Sequence, residues 1–295
     1  MKTLQKFCLC VVAIGFIPQP TSAQNYYNWM NPEIKDAWSS GYKGQSTTIT
    51  VIDDFSSRSR YNGNLGDGAF LLRHGEWTYK EIGMLAPRAT MKADDFNIQN
   101  TVKLYSGLNV LNMSYGMYAS AQYSLSQIRW GSQESSIIGY AQYGQAIAVK
   151  AAGNDSVAVG AANSQGNRDF FNQALIGKQT AIFVGALDRN GTTTNKANRA
   201  YYSNYAGTDL KVQNNFLMVG VRGDLTGLYG TSFAAPVITG YASVLGSKFT
   251  SATPTQITNQ LLTTARQDTI NNYSAAVYGR GEASITRALA PVSIK

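Results

Sequence analysis

Short β-branched segments alternate with helical segments along this 295-residue chain, and this alternation constrains its fold more than any other feature. Residues 47–53 read Thr-Thr-Ile-Thr-Val-Ile-Asp, which is typical of a buried strand. Further strand candidates run over 89–93, 109–114, 145–152 and 181–187. Strands separated by helices predict an α/β fold of three layers, with a mainly parallel central sheet flanked by helices.

The intervening segments predict helices and loops. Asn31-Pro32-Glu33 supplies a capping Asn and a first-turn proline, and the helix that follows should end by Gly41. Further helices are expected over 75–84, over most of 124–143, from Thr253-Pro254, and near 282–290. Ser, Gly and Asn dominate residues 55–73 and predict a loop, whereas 192–230 predict short strand-like pieces between turns.

Polar residues stand where several predicted strands end. Asp53, Ser114 and Asn154 occupy such positions, and ligand chemistry in parallel sheets lies at the carboxyl ends of the strands. We therefore expect these three side chains at one edge of the sheet. Asp54, directly after Asp53, is interpreted as a surface or loop-binding residue. His74, the one histidine in the chain, opens the segment after the predicted loop.

The heptapeptide Gly230-Thr-Ser-Phe-Ala-Ala-Pro236 precedes an apolar run typical of a buried helix. We predict that Thr231 caps this helix and that Ser232 lies in its first turn, where unpaired N–H groups and the helix dipole favour negative charge. Pro236 has no N–H, so the carbonyl of Ser232 loses its helical partner. The same heptapeptide also fits a simple cap before a core helix.

Amide hydrolysis by a serine needs a base, a buried carboxylate that orients the base, and a donor for the oxyanion. The chain offers Ser232, His74, Asp53 and Asn154 for these four roles, and the order Asp, His, Ser is known for such triads. Each residue alone fits a turn, a core position or a helix cap. Their combination predicts a serine protease.

Five motifs of the chain resemble, in the same order, those of the subtilisin-like serine proteases, the subtilases. The likeness runs from about residue 29 to 290. The motifs are Val51-Ile52-Asp53, His74-Gly75, Leu111-Asn112-Met113-Ser114, Ala151-Ala152-Gly153-Asn154 and the heptapeptide 230–236. The resemblance implies a subtilisin-like fold and an endopeptidase with Asp53, His74 and Ser232 as catalytic residues and Asn154 as oxyanion donor.

The resemblance also implies a pocket for the substrate side chain that precedes the scissile bond. Its walls would be Ser114-Tyr115-Gly116 and Ala151-Ala152-Gly153, whose small residues predict a roomy, apolar slot. Asp155 would lie near the rim, where it is expected to favour a basic side chain.

The region after His74 departs from the common subtilase pattern. Glu76 and Trp77 are similar to the corresponding residues of subtilases carried as autotransporter passengers. The segment from His74 to Pro87 is too short for the family's usual calcium-binding loop. No cofactor is expected to be required, and structural calcium at Asp67 would have no motif to support it.

Two other functions fit the same residues. The short region after His74 and the expected absence of a pro-segment are compatible with a catalytically inactive binding or scaffold protein on a subtilase frame. An acid-acting serine-carboxyl peptidase would use a Glu as base, for which Glu76 is the candidate. The retained His74 and Asn154 argue against that second alternative.

The N-terminus predicts export. Residues 1–23 combine Lys2 and Lys6 with a short apolar run and a Thr-Ser-Ala cleavage site, typical of a signal peptide. Both cysteines, Cys8 and Cys10, lie in it, so the mature chain would hold no disulfide. We expect one catalytic domain over 24–295, with neither a pro-segment nor an outer-membrane barrel.

Charge and hydropathy limit the partners. The net charge is +8, but the basic residues are scattered, so nucleic-acid binding is not expected. No stretch beyond the signal is long and apolar enough to span a membrane. Asn154-Asp155-Ser156 would accept a glycan that blocks the site in a eukaryotic secretory pathway, which favours a bacterial, secreted or periplasmic protein. We expect this protein to be a monomer. Its partners would be protein or peptide substrates and an inhibitor encoded as a separate chain.

Overall fold

A computed structural model describes residues 25–294, which fold around a six-stranded sheet. The ten strands are β1 (Thr47–Asp53), β2 (Tyr61–Asn64), β3 (Ala69–Leu72), β4 (Thr90–Asp95), β5 (Leu108–Met113), β6 (Tyr118–Ser120), β7 (Ile147–Ala151), β8 (Asn167–Asp169), β9 (Ala181–Leu187) and β10 (Phe216–Gly220). The central sheet has the order β10-β9-β7-β5-β1-β4, and all neighbouring pairs in it are parallel.

Helices cover both faces of this sheet. They are α1 (Glu33–Ser39), α2 (His74–Leu85), α3 (Ser132–Gln142), α4 (Phe170–Leu175), α5 (Leu210–Asn214), α6 (Gly223–Thr226), α7 (Ala235–Lys248), α8 (Pro254–Thr263), α9 (Ala275–Tyr278) and α10 (Ile285–Leu289). Helices α1, α2, α7, α8 and α10 contribute to the core on one face, and α3, α4, α5 and α9 to the core on the other. The three-layer α/β fold predicted from the sequence is confirmed.

Alternation along the strands explains why both faces are apolar. Successive side chains of a strand point to opposite faces, so Val51 joins one core and Ile52 the other. All seven residues of β1 are buried, as expected for a central strand of a parallel sheet. The register pairs Ile52 with Met113 of β5 and Asp53 with Asp95 of β4, which brings the carboxyl ends of these strands to one edge.

The structure corrects the prediction of a loop over 55–73. Strands β2 and β3 form an antiparallel hairpin in which Tyr61 faces Leu72. Most side chains of this hairpin are exposed, so the segment lacks the apolar alternation of a half-buried strand. Gly66 and Gly68 form its turn with φ of +100° and +128°, which favour glycine.

The prediction of a helix over most of 124–143 is wrong in its first half. A 3₁₀ turn spans Leu125–Gln127, and the α-helix begins only at Ser132, after an extended Gly131. Ile137 and Ala141 of this helix are buried, whereas Tyr143, directly after it, is 71% exposed. Helix α4 was not predicted from the sequence. Asp169 caps it, because its side chain accepts hydrogen bonds from the backbone amides of Phe171 and Asn172.

The segment 192–230, predicted as short strand-like pieces between turns, contains the helices α5 and α6 as well as β10. Several other predicted elements agree with the structure. Strands β1 and β9 have the predicted bounds, and α2 is extended by one residue at each end. Asn31 accepts a hydrogen bond from the amide of Glu33 at the start of α1, and Thr253 caps α8. The predicted signal peptide lies outside the described residues. Within residues 25–294, no helix has the length and apolar character needed to cross a membrane.

Candidate active site

Asp53 and His74 are joined by a direct hydrogen bond at the carboxyl end of β1. His74 Nδ1 lies 2.6 Å from Asp53 Oδ1. Asp53 is 1% exposed, and its carboxylate also accepts hydrogen bonds from the amide of Asp54 (2.7 Å) and the hydroxyl of Thr78 (3.1 Å). These donors satisfy a buried charge and hold the carboxylate in one orientation.

His74 is the first residue of α2, and its environment changes its basicity. Burial lowers the pKa of His74, but the hydrogen bond and the negative charge of Asp53, with the charge of Asp54, outweigh burial. The net pKa of His74 lies above its ordinary value of 6.5. The imidazole ring packs against Phe233, with ring centroids 5.7 Å apart, so α2 and the segment around Ser232 meet at the imidazole.

Glu76, the candidate base of a serine-carboxyl peptidase, acts as a cap of α2. Its carboxylate accepts hydrogen bonds from the amide of Arg73 (2.7 Å) and from the guanidinium of Arg73 (2.8 Å). The Arg73 amide, followed by the effect of its side chain, holds the pKa of Glu76 below the usual range despite partial burial. Glu76 is therefore ionised and engaged with Arg73 at neutral pH.

Ser232 lies in a 3₁₀ turn, Thr231–Phe233, that precedes α7. Its hydroxyl donates to the carbonyl of Ser114 at 3.0 Å, and the hydroxyl of Ser114 donates in return to the carbonyl of Ser232 at 2.9 Å. The carbonyl of Ser232 is available to Ser114 because Pro236, four positions later, has no N–H to donate to it. The reciprocal pair fixes Ser232 to the end of β5.

The structure corrects the predicted cap. Helix α7 begins at Ala235, so Ser232 precedes its first turn, and the Thr231 side chain does not cap it. The hydroxyl of Thr231 instead accepts from the amide of Gly153 (3.0 Å) and donates to Asn154 Oδ1 (3.1 Å). Because Gly153 and Asn154 are far from Thr231 in sequence, the residues around Thr231 do not distinguish this role from that of a helix cap.

Asn154 follows β7 and faces the same turn. Its Oδ1 accepts from the amide of Thr231 at 2.8 Å as well as from the Thr231 hydroxyl. A Cβ on Gly230 would lie 3.2 Å from Nδ2 of Asn154, so the amide group is packed against the segment that leads into Ser232. With the oxygen engaged by Thr231, Nδ2 is the remaining polar atom of this side chain.

Asp53, His74, Asn154, Ser114 and Ser232 thus lie around one region of the sheet edge. One contact of a resting triad is absent from the described residues: the hydroxyl of Ser232 is bonded to Ser114 and not to His74. A hydroxyl has a single proton to donate, so the bond to Ser114 and a bond donated to His74 exclude each other.

The two segments predicted to wall a pocket also flank Ser232. Ser114 touches Ser232 directly, and the amide of Gly153 bonds to Thr231. Ala151 and Ala152 are buried at the end of β7, in opposite cores. The side chain of Tyr115 stacks on Phe171 with centroids 5.6 Å apart, so Tyr115 belongs to the core beside α4.

Sequence reasoning missed several residues that support these groups. Thr78 reaches Asp53 from one turn beyond His74, and the four-residue spacing of Thr78 from His74 was an available signal. Asn112 donates to the hydroxyl of Ser114 (3.0 Å) and accepts from Thr239 of α7 (2.9 Å). This buried series of hydrogen bonds connects β5 to α7 across 127 residues, and no local sequence pattern predicts it.

Glu81 of α2 is a further buried acid near the site. It is 3% exposed and lines a small cavity with Phe233 and Trp29. Burial raises the pKa of Glu81 well above its ordinary value, and its Oε2 has no hydrogen-bond partner among the described residues. Burial without a charged partner therefore disfavours the ionised form of Glu81.

A cavity of about 670 Å³ opens beside the segment that leads to Ser232. Its lining includes Tyr229, Tyr202, Tyr201 and three arginines, Arg189, Arg199 and Arg222. Asp188 and Asp224 pair with two of the arginines. None of the lining residues belongs to the segments 114–116 or 151–153.

Asp67, the residue considered as a ligand of structural calcium, has another partner. The carboxylate of Asp67 forms an ion pair with Lys80 of α2. Among residues 25–294, no group of three or more His, Cys, Asp or Glu side chains is arranged to hold a metal ion. Structural calcium stays a prediction without a motif.

The fold is similar to those of several solved proteases. The prenylagaramide maturation protease PagA shares 18% identity and a TM-score of 0.57 over 88% of this chain and 98% of its own. MycP1 from Mycobacterium smegmatis shares 18% identity and a TM-score of 0.57 over 92% and 87%. A protease from Pseudoalteromonas arctica shares 18% identity and a TM-score of 0.54 over 90% and 96%. At identities this low, the structural similarity shows a common fold and nothing finer.

Comparison of the sequence identifies the family. A search of curated proteins found no match. The profile of the subtilase family, peptidase family S8, matches residues 61–281, a span that includes His74, Asn154 and Ser232 and begins after Asp53. The likeness to autotransporter passengers stays a prediction. On the family profile and the shared fold, this chain belongs to the subtilase family of serine peptidases.

Proposed function

We propose that the chain is a serine endopeptidase that hydrolyses peptide bonds with Ser232 as nucleophile, His74 as base, Asp53 as the orienting carboxylate and Asn154 as oxyanion donor. The observation that carries this proposal is the 2.6 Å bond between His74 Nδ1 and the buried Asp53, beside the turn that holds Ser232. Membership of the subtilase family supports the reaction class.

The bond to Asp53 fixes the tautomer that the reaction needs. With Nδ1–H donated to Asp53, the lone pair of the neutral imidazole is on Nε2, which can take a proton. When Nε2 accepts the proton of Ser232, the imidazolium that forms is stabilised by the buried carboxylate. Asp53 can supply this stabilisation because Thr78 and the Asp54 amide already satisfy its other lone pairs.

Ser232 must release one contact before it reacts. Its hydroxyl donates to the carbonyl of Ser114, so the reaction requires rotation of the hydroxyl from Ser114 to His74. The backbone of Ser232 stays fixed during this change because the Ser114 hydroxyl holds its carbonyl. The serine is thus positioned by backbone contacts, and only its side chain has to reorient.

Asn154 is suited to stabilise the negative charge of the tetrahedral intermediate. Two hydrogen bonds from Thr231 fix its Oδ1, so its Nδ2 is preorganised as a donor. A donor held in place before the reaction costs no reorganisation when charge develops. The Ser232 oxygen bonds to the carbonyl carbon, and the C–N bond breaks as the proton taken by His74 passes to the leaving amine. Water, deprotonated by His74, then hydrolyses the ester, which releases the carboxylic acid and returns the proton to Ser232.

The substrates are proteins or peptides, bound between Ser114-Tyr115-Gly116 on one side and Ala151-Ala152-Gly153 with Asp155 on the other. The signal-like sequence of residues 1–23 favours a secreted or periplasmic bacterial enzyme that acts as a monomer. A separate inhibitor chain would be one means to restrain it.

Cleavage of an unfolded protein, followed by mass spectrometry of the products, tests the proposal. We expect the Ser232→Ala variant to lose about 10⁶-fold in kcat, the loss typical of removing a catalytic serine. Ser251→Ala, which changes an exposed serine after α7, is the matched control and should cleave normally. Equal cleavage by the wild type and Ser232→Ala, or a folded wild type without activity, would contradict the proposal and favour a binding or scaffold protein.

A further inference from the structure

Tyr118 lies between the two segments that flank Ser232. It is the first residue of β6, which pairs with β8 so that Tyr118 faces Asp169. A Cβ on Gly116 would lie 2.6 Å from Cε2 of the Tyr118 ring, and a Cβ on Gly153 would lie 3.5 Å from the Tyr118 hydroxyl. The ring therefore reaches from one wall of the expected slot to the other.

The hydroxyl of Tyr118 is anchored on the far wall. It donates to Asp155 Oδ2 at 3.0 Å, and Asn163 donates to the other oxygen of Asp155 at 3.2 Å. Tyr118 is 46% exposed. Its partial burial, and then the charges of Asp169 and Asp155, raise the pKa of Tyr118, so this hydroxyl remains a donor at neutral pH. Asp155, expected at the rim as a partner for a basic substrate, is engaged by Tyr118 and Asn163.

A buried ion pair lies beneath the ring. Asp169 Oδ2 would be 2.9 Å from a Cβ on Gly116, and Lys150 Nζ lies 3.1 Å from that same oxygen. Lys150 is 1% exposed and also donates to the carbonyl of Ala151. A large side chain that entered between Gly116 and Gly153 would have to displace the tyrosine before it met this pair.

We propose that Tyr118, fastened to Asp155, closes the slot beside Ser232 and restricts the residue before the scissile bond to glycine, alanine or serine. The inference rests on the proposed function, because it assigns that slot to the substrate. It replaces the expected roomy slot with a shallow one, and it gives Gly116 a reason to lack a side chain, since a Cβ there would strike the ring.

Peptides that differ only in the residue before the scissile bond test the proposal. For the wild type we expect kcat/KM to be at least about tenfold higher with Ala than with Phe, since the pocket must reject excess volume. Tyr118→Ala should raise kcat/KM for the Phe peptide by about tenfold or more. The Tyr118→Phe variant keeps the ring but loses the bond to Asp155. Its kcat/KM for the Phe peptide should lie between those of the wild type and Tyr118→Ala.

Tyr143→Ala is the matched control for loss of a tyrosine, because Tyr143 is 71% exposed at the end of α3. It should leave the preference for Ala unchanged. Wild-type enzyme that cleaves after Phe as well as after Ala, with no change in Tyr118→Ala, would overturn the inference.

A binding experiment separates this inference from the proposed function. In the Ser232→Ala variant, calorimetry with product peptides that end in Ala or in Phe requires no catalysis. Tighter binding of the Ala peptide, with the Phe peptide gaining about tenfold in the Ser232→Ala/Tyr118→Ala double variant, supports the closed slot even in an inactive protein. Equal binding of both peptides, unaffected by Tyr118→Ala, would overturn the closed slot while leaving the triad to the cleavage experiment.

Discussion

The two halves of the candidate site are built in different ways. The acid–base half, Asp53 and His74, is joined by a direct side-chain bond between residues 21 positions apart. The nucleophile half, Ser232 and Asn154, is held by bonds that span 118 positions to Ser114 and 77 positions to Thr231. One strand and the next helix suffice for the first half, whereas the second needs the assembled sheet.

This difference separates two properties that the proposed reaction requires. The acid–base half sets the proton affinity of the imidazole through charge and hydrogen bonding. The nucleophile half sets position, through backbone contacts of Ser232 and the fixed oxygen of Asn154. Substitutions in the first half should therefore change kcat and the pH dependence of activity. Substitutions in the second half should change kcat and the free energy of unfolding.

Asp53→Asn should produce the largest effect on the acid–base half. We expect kcat to fall by roughly 10⁴-fold at pH 8, because Asn cannot enforce the tautomer or stabilise the imidazolium. Asp54→Asn is the matched control, since Asp54 bonds to Ser57 and acts on His74 only through its charge. Steady-state kinetics measure both variants, and losses of equal size would contradict the role assigned to Asp53.

Asn154→Ala should produce the next largest effect and tests the nucleophile half. Loss of one preorganised oxyanion donor lowers kcat by about 10²- to 10³-fold, with KM little changed. Thermal unfolding of the variant checks that the turn at Thr231 survives the loss of its acceptor. A variant that keeps wild-type kcat while folded would remove Asn154 from the reaction.

The pH dependence should follow the acid–base half alone. Because the pKa of His74 lies above 6.5, activity should decline as the pH falls through that raised pKa, with roughly a tenfold loss at one unit below it. His74 is the one histidine of the chain, so NMR titration of an untagged protein observes a single imidazole. A rate unchanged between pH 8 and pH 5, or a His74 pKa below 6.5, would contradict this assignment.

Thr239→Val should have the smallest effect and tests the scaffold of the nucleophile half. It removes the donor to Asn112, so a buried carbonyl oxygen is left unsatisfied at a cost of about 1–3 kcal/mol in unfolding free energy. Thr239→Ser keeps the hydroxyl and should retain most of the stability. Chemical denaturation of both variants measures the difference, and equal stability would show that the bond from Thr239 to Asn112 does not stabilise the fold.

The sequence predicted what local chemistry determines. The strand that ends at Asp53 and the helix near His74 follow from β-branched and helical patterns. The pairing of Asp53 with His74 was implied only by the triad roles and the resemblance to subtilases. The roles of Thr231 and Tyr118 could not be predicted, because their hydrogen-bond partners, Asn154 and Asp155, are distant in sequence and become neighbours only in the folded chain. The hairpin over 61–72 escaped prediction since its exposed side chains leave no apolar pattern.

Labelling with a fluorophosphonate, mapped by mass spectrometry, tests the central claim most directly, because the reagent reacts with a serine that a base activates. We predict one adduct, on Ser232, that forms more slowly as the pH falls through the pKa of His74 and is absent from Ser232→Ala. A folded protein that gains no adduct, or an adduct that persists in Ser232→Ala, would contradict the account.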